Sequence, residues 1–292
     1  MTGEPLLGII GGSGLYQMDG LEGVEEIILD TPFGAPSGAY LSGRMGGRAV
    51  VFLARHGSGH RILPTELNFR ANIHGFRQLG ADAIISVSAV GSLREEIKPG
   101  HMVVPAQFID RSYARPSTFF GEGIVAHVSF ADPVCPQLSS TVAQAAVTAG
   151  AKVHSGGTYV CMEGPQFSTR AESHLYRSWG GDVIGMTNLQ EAKLAREAEI
   201  CFATLAMATD YDCWREDEEG VAAGDIISVL AANVAKARET VAEAAGSVDP
   251  ARDCGCRRAL DGSLVTDPSV MEPATKEKLA HILDRVMKEG GV

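Results

Sequence analysis

Apolar residues along the chain fall mainly into short unbroken runs, with little alternation of apolar and polar positions. Leu6–Ile10, Val50–Ala54, Ala83–Gly91, Thr158–Met162 and Ile200–Ala208 carry no charged side chain apart from an occasional neighbour at their edges. Runs of this length without a polar face predict strands buried on both sides, as in the middle of an α/β sheet. Met102–Pro105, Phe108–Asp110 and Asp182–Thr187 read as shorter strand pieces, and Thr31–Gly38 as turn chemistry leading to a hairpin through Arg44–Gly47. Helical spacing separates the runs. Pro64–Leu79 carries Leu67, Ile73, Phe76 and Leu79 and stops at Gly80; Gln137–Ala149 stops at Gly150. Thr169-Arg170-Ala171-Glu172 is a capping box, Asn188 opens a helix to about Ala198, and Asp225 opens an alanine-rich helix to Gly246. Residues 111–134 read as loop. Strand and helix alternate without an internal repeat or linker up to about residue 246. This predicts one α/β domain over 1–246 and a C-terminal extension over 247–292, helical at 274–289 and packed on the same domain or an oligomer neighbour.

Ligands in open α/β sheets gather outside the carboxyl ends of the strands, so those ends carry the candidate chemistry. The first runs into Gly11-Gly12-Ser13-Gly14. A dinucleotide fingerprint fails there, because Gln17 holds the third glycine position, and no P-loop lysine follows. A tight turn and an oxyanion cradle built on Ser13 both fit. The second ends in Arg55-His56-Gly57, with His60 close behind: a surface pair, or a planar fork and a tunable donor for phosphate. The third carries Ser88-Ala89, the strand at 182–187 ends in Met186-Thr187, and the last run meets Asp210-Tyr211-Asp212. In extended backbone Asp210 and Asp212 point to one side. Two such carboxyls can accept from an exocyclic amine, and one kept protonated can donate to a ring nitrogen. A charged strand exit meeting water is the plainer alternative.

Net charge is −11, with 45% hydrophobic and 21% charged residues. That suits a globular enzyme with a large core, and it argues against nucleic-acid binding, which needs a basic face. An anionic ligand would have to be held by groups collected locally against the overall field. No segment has the length of a membrane span, and the N-terminus has no charged n-region or long apolar run. Of six cysteines, four are scattered in or beside apolar runs, and a cytoplasmic location is expected.

Taken together, Gly8–Leu15, Thr31–Gly34, Leu53–Gly57, Gly91–Ile97, Glu163–Ser168 and Ala206–Trp214 resemble the trimeric purine nucleoside phosphorylase family, nearest its branch acting on 5′-methylthio adenine nucleosides. The resemblance covers roughly residues 6–245. It implies a three-layer αβα fold with a central mixed β-sheet flanked by helices. It also implies phosphorolysis of S-methyl-5′-thioadenosine to adenine and S-methyl-5-thio-α-D-ribose 1-phosphate, with phosphate as co-substrate, no cofactor and no metal. Adenosine stays open as a second substrate, since an apolar pocket rejects a hydroxyl weakly. Carried over residue by residue, Ser13, Arg55, His56, Ser88, the Ala89 backbone and Thr187 would hold phosphate. Met186 would lie on the ribose and Phe167 on the base. Asp210 would share a proton with N7, and Asp212 would accept from the 6-amino group, with Tyr211 between them in the substrate site. Ser168 and Ala223 would shape specificity, and His127 would be lent by a neighbouring subunit of a homotrimer or homohexamer. Relatives acting on 6-oxopurines carry asparagine where Asp210 stands, so the carboxylate points to adenine. Replacing Arg55 by alanine is expected to cut phosphate-dependent turnover severely without unfolding the chain. Cys254-Gly255-Cys256 resembles a motif said to form a disulfide in some thermophilic relatives. Here it is read as two reduced thiols on an exposed tail, too short for a zinc knuckle on its own.

Overall fold

The computed structural model describes residues 5–12, 15, 20–215 and 223–289. Eleven strands run in chain order: β1 (Leu6–Gly11), β2 (Glu22–Ile27), β3 (Tyr40–Met45), β4 (Arg48–Ala54), β5 (Ala81–Ser92), β6 (Met102–Val104), β7 (Gln107–Arg111), β8 (Val153–Ser155), β9 (Thr158–Met162), β10 (Val183–Gly185) and β11 (Cys201–Asp210). Seven α-helices accompany them: α1 (Phe69–Leu79), α2 (Pro136–Thr148), α3 (Arg170–Ser178), α4 (Asn188–Glu197), α5 (Ala223–Ser247), α6 (Pro273–Lys278) and α7 (Ala280–Glu289). The strands form one mixed sheet in the order β2-β3-β4-β1-β5-β10-β9-β7, and β11 pairs with β5 and β6, carrying β8 beyond it. Parallel β4, β1, β5 and β11 make its centre. Nine of the ten residues of β11 are buried, as its unbroken apolar run requires.

Helices cover both faces of the sheet. On one, α2 and α5 pack Leu138, Val142, Ala237 and Val241 against Ile9, Ile85 and Leu205. On the other, Phe76 and Ile73 of α1 and Ala192 and Leu194 of α4 meet Ile10, Ile84 and Phe202. The segment after residue 247 first packs Val248 and Cys256 on the α2/α5 face and then reaches the second, where Leu260, Met271, Leu279, Ile282 and Leu283 join the core. Its helical part is two helices broken at Leu279 rather than one. Pro64–Glu66 is a short 3₁₀ turn, and α1 starts later than its spacing suggests, because the Asn68 side chain caps it by accepting from the Ala71 N–H.

One buried group on this face makes the fold sensitive to acid. His74 lies among Phe33, Phe119 and His281, and neither ring nitrogen has a hydrogen-bond partner among the described residues. Burial, with His281 beside it, pushes its pKa from 6.5 down to about 4. Between those values the unfolded chain binds a proton that the folded chain excludes, so stability falls as pH drops through the window. The gap corresponds to roughly 3 kcal/mol. In urea denaturation from pH 7 to 4, His74→Phe should give a shallower loss of stability than the parent; identical slopes would remove His74 from the account.

Candidate active site

The sheet divides at the far end of β5, and a cavity of about 280 Å³ occupies the gap. Along β5, parallel β1 ends at Ser86 and antiparallel β10 takes over only at Gly91 and Ser92, while parallel β11 stays paired as far as Gly91. A register shift between Ala208 and Asp210 bulges β11 at the same level, with Asp210 paired to Gly91. Five strand ends therefore open onto one space. Its walls include Gly12, Arg55, His56, His60, Ser88, Ala89, Gly91, Phe167, Met186, Thr187, Asp210 and Asp212.

At one end stands Arg55, with only 1% of its surface exposed. Its Nε donates to Glu191 Oε1 at 2.5 Å and its Nη2 to Glu191 Oε2 at 3.1 Å and Ser86 Oγ at 2.6 Å, while Nη1 donates to the Val87 carbonyl at 2.9 Å. These contacts use four of the five guanidinium hydrogens, leaving one on Nη1. Ser86 and Asn188 also donate to Glu191, so a closed network fixes the fork. Beside it, His56 Nδ1 faces the Ile62 carbonyl at 2.8 Å. A carbonyl only accepts, so Nδ1 carries the hydrogen and Nε2 the lone pair of the neutral ring. Burial first, then the Arg55 charge, pushes the His56 pKa down to about 4. Thr187 is the N-cap of α4, yet its side chain makes no capping bond; the hydroxyl is left beside the cavity at the positive end of the helix dipole. The expected cap, Asn188, instead donates to Ser86 Oγ.

At the other end are the two carboxyls. Backbone between them is not extended: Asp212 has φ +53°, in the left-handed region that aspartate tolerates better than most residues. The turn brings the Asp212 N–H onto Asp210 Oδ1 at 2.7 Å, and Thr209 Oγ1 donates to Asp210 Oδ2 at 2.7 Å. Both aspartates still line the cavity, through a turn rather than strand alternation. Asp212 Oδ2 is buried with no hydrogen-bond partner among the described residues, and burial pushes its carboxyl above the ordinary range. Gly91 makes room for the pair: a Cβ there would lie 3.0 Å from Asp210 Oδ1 and 3.3 Å from Asp212 Cβ.

The remaining candidates divide. Phe167, 66% exposed, overhangs the mouth, and Met186 forms a side wall. Ser168 sits just behind, its carbonyl accepting from the Cys213 thiol at 3.1 Å. Tyr211 does not face the cavity; it packs edge-on against Trp214, beside Leu93, in a separate apolar cluster. His127 is exposed and away from the cavity, with its backbone N–H on the Ser263 carbonyl at 2.9 Å. Ser13 lies outside the described residues. Ala223 is the first residue of α5, and its side chain lies outside the description. The sequence reading missed Glu191, and also Arg115, in a stretch read as loop. The buried Arg115 guanidinium pairs with Glu163 at 3.1 Å and donates to the carbonyls of Met186 and Glu163, tying two walls of the cavity together. Neither residue had a local signal, since each is defined by partners distant in the chain.

Donors at one end of a half-closed pocket and paired carboxyls at the other make a site of nucleoside phosphorylase type. The chain belongs to the phosphorylase superfamily, whose family model matches residues 6–246. It is 59% identical over 283 residues to the S-methyl-5′-thioadenosine phosphorylase of Koribacter versatilis, covering 97% of each chain. To that of Geobacter sulfurreducens it is 57% identical over 281 residues, covering 96% of this chain and 98% of the relative. A methylthioadenosine phosphorylase from an antarctic soil metagenomic library matches with a TM-score of 0.92 and 47% identity, over 96% of this chain and 99% of that one. The Schistosoma mansoni enzyme in complex with adenine matches with a TM-score of 0.84 and 34% identity, over 89% and 99%. Among the described residues, no helix is long and apolar enough to cross a membrane.

Proposed function

We propose that the chain catalyses reversible phosphorolysis of S-methyl-5′-thioadenosine, giving adenine and S-methyl-5-thio-α-D-ribose 1-phosphate. One observation carries this: anion donors and an aspartate pair face each other across a single cavity. In the forward direction the C1′–N9 bond breaks, a phosphate oxygen bonds to C1′, and the leaving purine takes a proton at N7. Positive charge grows on the ribose and negative charge on the base, so the barrier falls by fixing phosphate and neutralising the purine. Thr187, Ser88 and the Ala89 backbone hold phosphate oxygens, and Arg55 contributes its remaining Nη1 hydrogen. Since Glu191 already balances the guanidinium, dipoles and hydroxyls supply much of the anion site. His56 Nε2 accepts from a phosphate hydroxyl. Ser13 is assigned to phosphate by the same reading, from its place in the glycine loop.

Met186 packs on the ribose and Phe167 on the base. Asp210 delivers the proton to N7; the unpaired Asp212 Oδ2 accepts from the 6-amino group, and this mispairing with a 6-oxo group discriminates against hypoxanthine. Ser168 and Ala223 shape the base pocket, Tyr211 braces the aspartate turn from behind, and His127 serves a neighbouring subunit of a homotrimer or homohexamer. Inorganic phosphate is the only co-reactant the scheme needs. Adenine release from S-methyl-5′-thioadenosine should therefore depend strictly on added phosphate and yield one sugar phosphate per adenine. Release at the same rate without phosphate would replace phosphorolysis by hydrolysis, and no release at all would leave a binding protein.

A further inference from the structure

Four cysteines outside the active site converge at the opposite end of β11. The tail thiols are not exposed as the sequence reading expected: Cys256 is 4% exposed and Cys254 partly buried, because the turn at Gly255–Arg258 presses both onto the body. There they meet Cys135, at the N-cap of α2, and Cys201, the first residue of β11. All four sulfurs lie within 4.8 Å of one another, with Cys201 and Cys254 Sγ 3.2 Å apart.

We propose that this cluster is a structural tetrathiolate site for zinc. In a tetrahedral zinc site the metal–sulfur bonds are about 2.3 Å, which sets sulfur–sulfur edges of about 3.8 Å. Small side-chain rotations bring the four sulfurs to that spacing. A donor set of sulfur alone selects a soft or borderline ion over magnesium or calcium. Zinc with four thiolates carries a net charge of about −2, and the surroundings offset it. The buried Arg252 donates Nε–H to Cys201 Sγ at 3.2 Å and is held from behind by Asp82 at 2.8 Å, the arrangement of an outer-shell donor. Cys135 adds the positive end of the 13-residue α2 dipole. Binding replaces four S–H bonds by four metal–sulfur bonds and releases four protons to solvent. A cleft of about 800 Å³, lined by Gln137, Ser140, Asp253, Cys254 and Cys256, gives the ion a way in. The closed sulfur set leaves no position for substrate. The ion would instead clamp the tail to the root of the strand whose far end carries Asp210.

Cobalt(II) serves as the spectroscopic probe on the full chain, reduced and kept anaerobic. About one equivalent per chain should bind, with intense sulfur-to-metal charge-transfer and tetrahedral d–d bands that zinc then bleaches. Cys254→Ser/Cys256→Ser, confined to the tail, should lose both the bands and the bound metal, while Cys213→Ser, outside the cluster, keeps them. Zinc loading should raise the melting temperature of the parent and leave that of the double variant unchanged. Failure of the folded, fully reduced chain to bind cobalt or zinc would overturn the proposal. So would a spectrum without sulfur ligation, or recovery of the four cysteines as disulfides from protein never exposed to oxidant.

Discussion

Asp210→Asn should lower kcat/KM for S-methyl-5′-thioadenosine by about 10²–10⁴-fold, the usual cost of losing a general acid, with little loss of fold. An asparagine oxygen can still accept the Asp212 N–H, and its amide can donate to Thr209 Oγ1, so both local contacts survive in altered form. What the amide cannot do is give up a proton to N7 of the departing adenine. A 6-oxo purine should suffer less, because the amide N–H can donate to O6 or N7. Asp212→Ala should act differently. It removes the buried oxygen assigned to the 6-amino group, so KM should rise more than kcat falls. The measurement is kcat/KM for methylthioadenosine and methylthioinosine on the parent and both variants. An unchanged ratio of the two substrates in Asp210→Asn would make the carboxyls structural and withdraw the adenine assignment.

How far the sequence showed this arrangement depended on whether a feature was local. Strands buried on both faces appear as unbroken apolar runs, so β1, β4, β5, β9 and β11 stood out, as did the Thr169–Glu172 capping box that opens α3. β2 did not. Its Glu-Gly-Val-Glu-Glu-Ile is an exposed edge pairing only with β3, with no buried face to impose a pattern. β8 is three residues held by β6 and equally silent. At the site, the groups at strand ends were legible because the topology brings the ends of β1, β4, β5, β10 and β11 to one cavity. Their supports were not. Glu191 sits in a helix whose composition suits a solvated surface, and only burial against Arg55 shows its use. Asp212 lines the cavity with Asp210, but a left-handed turn and not the expected extended backbone puts it there. The cysteine cluster joins a helix cap, a strand start and a tail turn, and no spacing rule links those three.

Arg55 is where sequence and structure give different expectations for one substitution. As a strand-end cation it looked removable at the expense of phosphate alone. Buried at 1% exposure and bidentate to Glu191, it is also half of an interior ion pair. Arg55→Ala leaves the Glu191 carboxylate in the core with, among the described residues, the Ser86 and Asn188 side chains to donate to it. Breaking one side of such a pair costs about 3–5 kcal/mol, because the surviving charge keeps its desolvation penalty without its partner. We therefore expect Arg55→Ala to lose stability of that order as well as activity. Arg55→Ala/Glu191→Ala should be destabilised by less than the sum of the two single variants, since it removes both charges. Arg55→Lys separates the two roles. An ammonium can neutralise Glu191 but lacks the planar fork, so it cannot also satisfy Val87 and reach phosphate. Its urea midpoint should fall less than that of Arg55→Ala, while its KM for phosphate rises at least tenfold, about 1.4 kcal/mol of lost contact. An Arg55→Lys enzyme with the parent's phosphate KM would place the guanidinium in the scaffold alone and leave anion binding to Thr187, Ser88 and the α4 N-terminus.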